Sequence, residues 1–148
     1  MYWGPPTWIF IHTLAAKIKD DAFPTIRSQL LQIIVSICHN LPCPECTEHA
    51  KQFWSNTVKI NSITTKQILI NTLFTFHNMV NKRKKLTIYL YENLEEYNNK
   101  NLVQTFKDFH NNFHTKGNMS LLNESFHRTI VLKNVRNWLI KNQQHFEQ

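Results

Sequence analysis

Apolar positions recur at helical spacing in four stretches of the first hundred residues, with a shorter fifth behind them. The first opens after Pro5–Pro6, prolines that a helix tolerates in its first turn, and runs through Trp8, Ile9, His12, Leu14 and Ala15 to about Ile18. The second starts near Pro24–Thr25, with Thr25 or Ser28 as cap, and carries Ile26, Leu30, Ile33, Ile34 and Ile37 toward Leu41. Pro42–Cys43–Pro44 stops it. Pro44 then suits the first position of a third helix, which makes Cys43 its cap, puts Cys46 in its first turn and extends to about Ser55. Thr64 or Thr65 opens a fourth, on Ile68, Leu69, Leu73, Phe76 and Val80, that ends in Lys82–Arg83–Lys84–Lys85. A short fifth helix is predicted from Ile88 to Tyr97, and two more, Leu102–His114 and Ser120–Phe146, split at Lys116–Gly117–Asn118.

Composition agrees with an all-α chain. Only two glycines occur in 148 residues, too few for glycine-rich phosphate loops, Rossmann turns or a turn-rich all-β fold. With 42% hydrophobic and 12% aromatic residues there is enough to bury a core. The formal charge of +7 favours anionic partners without choosing among them. No stretch approaches the roughly 20 apolar residues of a membrane span, and no basic segment leads into an apolar signal. The expectation is a protein that starts life in the cytosol, off the membrane. There, three cysteines (Cys38, Cys43 and Cys46) are not a structural disulfide framework, and a disulfide would be catalytic.

A CxxC pair by itself fits a redox dithiol, half a zinc site, or neither. Two cysteines three apart in a helix's first turn share a face within disulfide reach, and the free N–H groups there favour a thiolate. That favours redox. Zinc on Cys43, Cys46 and His49 remains the alternative, but Cys38–His39 is poorly spaced to complete such a site, and Cys38 reads as a small buried hydrophobe. No metal is expected.

Two more clusters matter. Trp8 and His12 share a face of the first helix, which alone would read as core packing. On the fourth, His77 lies beside Asn81, and Asn78 beside Asn81 and Lys82; helix propensity disfavours two asparagines there, and their amides suit a heterocycle or ribose. The lysines that follow would meet phosphates. A solvated basic face is the plainer account of that run, and no interleaved aromatics or helix-turn-helix pattern favours nucleic acid.

Together Trp3–Gly4, Trp8–x3–His12, Cys43–x2–Cys46–x2–His49 and His77–Asn78–x–Val80–Asn81 resemble the Erv/ALR family of FAD-linked sulfhydryl oxidases, over about residues 1 to 97. The brevity and the missing second cysteine pair look most like the minimal enzymes of large cytoplasmic DNA viruses. The resemblance implies a four-helix bundle around FAD plus a short fifth helix, in a catalytic domain of residues 1–98 with a helical extension over 99–148. It implies Cys43 and Cys46 as the catalytic pair. Gly4, Trp8, His12, His49, His77, Asn78, Val80, Asn81, Lys82, Lys85 and Tyr89 would contact the cofactor. The implied partners are a dithiol protein or a thioredoxin-like relay, dioxygen reduced to hydrogen peroxide, and a second copy in a homodimer. The implied place is the cytoplasm, including viral factory and virion.

Overall fold

The computed structural model describes residues 2–113 and 122–148. The described residues form α1 (Gly4–Lys17), α2 (Phe23–Cys38), α3 (Pro44–Gln52), α4 (Lys66–Arg83), α5 (Leu102–Asn112) and α6 (Leu122–Asn142). A π turn, Phe53–Thr57, prolongs α3, and a 3-10 segment, Tyr91–Asn99, lies between α4 and α5. Among the described residues the only β pairing is an isolated bridge between Ile18 and Phe146. The expected all-α class holds. The predicted break at 116–118 lies outside the described residues.

The central helix is α1. Phe10, Ile11, Leu14 and Ala15 are buried, and so are Thr7, His12, Thr13 and Lys17, so the helix has almost no solvent face. A helix buried all round must be surrounded. Its neighbours are α4, α5 and the 3-10 segment. Phe10 stacks on Phe109 of α5 at 4.9 Å and meets Phe106 edge-on at 5.5 Å. The chain's end closes the other side: Lys19 N–H donates to His145 O, Glu147 N–H to Lys17 O, and Lys17 Nζ to Gln148 O. Residues after 99 therefore share one core with the bundle.

Three local expectations need correction. α2 starts at Phe23 with Ala22 at its cap and no side-chain cap bond, so neither Thr25 nor Ser28 caps it; Pro24 sits in the first turn, where its missing N–H costs nothing. α2 also stops at Cys38, short of Leu41. The predicted helix from Ile88 begins only at Tyr91 and is 3-10; residues 86–90 form no helix, and Leu90 before it is extended. The cause lies on α4. Leu86 N–H donates to Asn81 O and Lys85 N–H to Lys82 O, a paired ending that puts Lys85 at φ 58° and turns the chain out of the helix. The Asn78 amide then donates to Tyr89 O and accepts from Tyr89 N–H, while Asn81 Nδ2 donates to Thr87 O. These clips replace a helical hydrogen-bond ladder with side-chain bonds to the chain that follows α4.

Candidate functional site

Cys43 caps α3, as its sequence position predicts: Cys43 Sγ accepts the Cys46 backbone N–H at 3.2 Å. The two cysteines form a disulfide with Cα atoms 5.2 Å apart. Cys43 is half-buried and Cys46 buried. Pro44 holds the turn in helical geometry from its first residue.

Both cysteines border a cavity of about 590 Å³ between α1, the ends of α2 and α4, and the start of α3. Its wall includes Trp8 and His77, stacked with ring centres 4.0 Å apart and planes within 9°. Phe76 meets Trp8 edge-on at 5.1 Å. Arg83 and Lys84, from the basic end of α4, also line it, and Lys84 Nζ stands 5.9 Å from the centre of the Trp3 ring. A Cβ on Gly4 would meet nothing within 4 Å, so the glycine keeps this wall open rather than relieving a clash. Flat apolar walls with cations at one end suit a planar heterocycle that carries anionic groups.

Behind the wall, His12 Nε2 and His77 Nδ1 share a hydrogen bond of 3.1 Å. Burial, and then the neighbouring His77, push the His12 imidazole down from 6.5 to about 3; burial pushes His77 down to about 4. The pair is therefore neutral at pH 7, one ring donating to the other. Tyr97 stacks on His12 at 4.8 Å, and burial raises the Tyr97 phenol well above its ordinary value.

The two histidines carry a stability cost in acid. The unfolded chain takes up protons near pH 6.5, whereas the folded pair resists until about pH 3 to 4, so stability falls as pH drops from 7 through 6.5 toward 4. His12 alone accounts for roughly 3 kcal/mol of that fall by pH 4. Urea midpoints at pH 7 and pH 4 check this against His12→Gln. The variant is expected to lose distinctly less between the two; equal losses would remove His12 as the cause.

Of the residues singled out in the sequence, Gly4, Trp8, Cys43, Cys46, His77, Val80 and Asn81 reach the cavity wall. His12 lies one hydrogen bond behind it. Asn78, expected on a cofactor, instead has both ends of its amide engaged by the Tyr89 backbone. Tyr89 is held in the clipped segment, where its ring faces His77 at 5.5 Å, outside the wall. His49 lies on α3 with its Nε2 3.8 Å from Glu45 Oε1, also outside. Lys82 and Lys85 are off the wall too. Arg83 and Lys84 border the cavity, because α4 presents those positions to it before Lys85 turns the chain away.

Sequence reasoning passed over Tyr97 and assigned Cys38 only to the core. Cys38 is buried as expected, yet it also borders the cavity. Burial pushes its thiol up to about 12, which leaves it protonated and unreactive. Helical spacing carries no signal for either placement, since each depends on which neighbour closes over it. Among the described residues no group of three His, Cys, Asp or Glu side chains could hold a metal ion, and no helix is long and apolar enough to cross a membrane.

The Erv1 / Alr family model matches residues 5–99. The chain belongs to this family. It is 30% identical over 108 residues to the FAD-linked sulfhydryl oxidase of African swine fever virus (isolate Tick/Malawi/Lil 20-1/1983), covering 70% of this chain and 88% of that protein. A protein of Invertebrate iridescent virus 6, provisionally named an FAD-linked sulfhydryl oxidase, is 30% identical over 86 residues, covering 55% of this chain and 78% of its own. The FAD-linked sulfhydryl oxidase of Oryza sativa subsp. japonica is 31% identical over 80 residues, 53% of this chain but only 40% of that one. No solved structure shows significant similarity to the chain.

Proposed function

We propose that this Erv1 / Alr family member is an FAD-dependent sulfhydryl oxidase that makes disulfides through Cys43–Cys46 and passes the electrons to dioxygen, giving hydrogen peroxide. The observation behind this reading is that both cysteines border the Trp8–His77 cavity, with Arg83 and Lys84 on the same wall. These residues fit FAD: Trp8, Phe76 and His77 would hold its ring, and the two cations its phosphates. When bound, FAD supplies a two-electron acceptor that dioxygen can reoxidise.

The chain's own part is thiol–disulfide exchange. A substrate thiolate attacks Cys43 Sγ, the more exposed sulfur; a substrate–Cys43 disulfide forms, the Cys43–Cys46 bond breaks, and Cys46 leaves as a thiolate. The α3 N-terminus stabilises that charge. The second substrate thiolate then attacks the substrate sulfur, forming the product disulfide and releasing Cys43, whose thiolate accepts the Cys46 N–H. Both protein cysteines end reduced, by the two electrons the substrate has lost. The neutral His12–His77 pair positions the Trp8–His77 stack without adding charge.

Substrates in this reading are dithiol proteins, or a thioredoxin-like relay between them and the oxidase, since no second pair of cysteines occurs in the chain. The oxidase works as a homodimer in the cytoplasm, viral factory and virion included. Residues 1–98 carry the chemistry and 99–148 support it. The test is direct: protein purified or reconstituted with FAD should be yellow and consume oxygen when given a dithiol. Protein that neither retains nor takes up FAD would sink the reading.

A further inference from the structure

We propose that the chain docks on anionic lipid bilayers through the segment that leaves α4, with Lys82 and Lys85 at the headgroups and Leu86, Ile88 and Leu90 in the apolar boundary below them. The proposal goes beyond the oxidase reading and does not rest on it. No described helix is long and apolar enough to cross a membrane, but a chain that cannot span a bilayer can still lie on one. Leu86, Ile88 and Leu90 are 56%, 47% and 54% exposed, and Met79 and Tyr91 are exposed as well. The segment that carries them is held against α4: Asn78 bonds both ways to the Tyr89 backbone, Asn81 Nδ2 donates to Thr87 O, and Leu86 N–H donates to Asn81 O. Large aliphatic side chains are thus presented to water by a backbone already ordered. A contiguous apolar patch of this kind marks a surface for a partner.

Charge specifies which partner. Every charged side chain between Glu48 and Glu92, histidines aside, is Lys or Arg. Four of these cations, Lys82–Arg83–Lys84–Lys85, are exposed and run directly into the aliphatic segment. Arg83 and Lys84 border the cavity, whereas Lys82 and Lys85 lie off its wall. The contact of Lys84 with the Trp3 ring brings the exposed Tyr2 toward the same basic end, and tyrosine is a residue of membrane interfaces. Glu92, Glu95 and Glu96 follow after Tyr91 and bound the patch. A nucleic acid would engage the cations and leave Leu86, Ile88 and Leu90 in water. An anionic bilayer takes both, its headgroups pairing with the lysines and its acyl boundary burying the aliphatic side chains.

Co-sedimentation of the full chain, carrying FAD, with lipid vesicles tests the proposal. Wild type should bind vesicles of phosphatidylcholine mixed with phosphatidylserine, hardly bind phosphatidylcholine alone, and be partly released by high salt. Each surface lysine is worth about fivefold in such binding, so Lys82→Gln/Lys85→Gln should weaken it at least about tenfold. Ile88→Ser/Leu90→Ser, at exposed positions off the cavity wall, should weaken it about as much while keeping the wild-type circular dichroism, FAD content and dithiol turnover in solution. Wild type that ignores the phosphatidylserine vesicles would overturn the proposal. So would vesicle binding that survives Ile88→Ser/Leu90→Ser, which would reduce the contact to charge alone. Oligomers that this variant dissociates, with no vesicle binding by wild type, would make the patch a protein contact and overturn it equally. Vesicle binding as expected by a chain that takes up no FAD would count against the oxidase reading alone.

Discussion

Replacing either cysteine of the pair should cut dithiol-dependent oxygen consumption by at least about a thousandfold, because neither thiol can complete the exchange alone. The two variants should fail differently. Cys46→Ser leaves Cys43 half-exposed at the cap, where it accepts the backbone N–H that favours its thiolate. It should alkylate readily and never reduce the flavin, since with no disulfide left there is nothing for a substrate thiolate to attack. Cys43→Ser leaves Cys46 only 8% exposed, so its alkylation should be distinctly slower. Both should keep FAD, since cavity and fold persist, and both should stay oxidised under anaerobic dithiol. Quantifying alkylation by mass and the flavin band by absorbance separates these cases. Undiminished turnover in the double serine variant would end the case for Cys43–Cys46.

Ending the chain at Asn99 should abolish cooperative folding even though it spares every cavity residue. Phe106, Phe109, Phe113, Val131, Leu132, Val135, Leu139 and Phe146 all belong to the common core. At about 1.5 to 3 kcal/mol for each large buried side chain, their loss exceeds the roughly 5 to 15 kcal/mol that holds a typical domain together. It would also bare Phe10, fully buried against α5. The milder Phe109→Ala should cost about 3 to 5 kcal/mol with FAD affinity and turnover largely kept at low temperature. Urea denaturation followed by circular dichroism measures both. A sharp, wild-type-like transition for residues 1–99 would show instead that the extension only decorates the bundle.

Much of this was legible in the chain itself. Apolar spacing placed α1 to α4, and the Pro–Cys–Pro step put Cys43 at a helix cap, because proline at a first helical position and a short polar cap are local chemistry. The order of the Trp8, Cys43 and His77 clusters was enough to name the family, which the match over residues 5–99 bears out. All of these signals live within a few residues of sequence.

The tertiary structure decided what local pattern cannot carry. Asn78 is also bonded to the backbone of Tyr89, eleven residues on, a contact that appears only once the chain leaves α4 at Lys85. Arg83 and Lys84, rather than Lys82 and Lys85, border the cavity because of where α4 ends relative to α1. The plain-looking helix α5 proved to cover the most buried helix of the fold. Burial and partner choice are properties of two surfaces meeting, and one stretch of sequence describes only its own side.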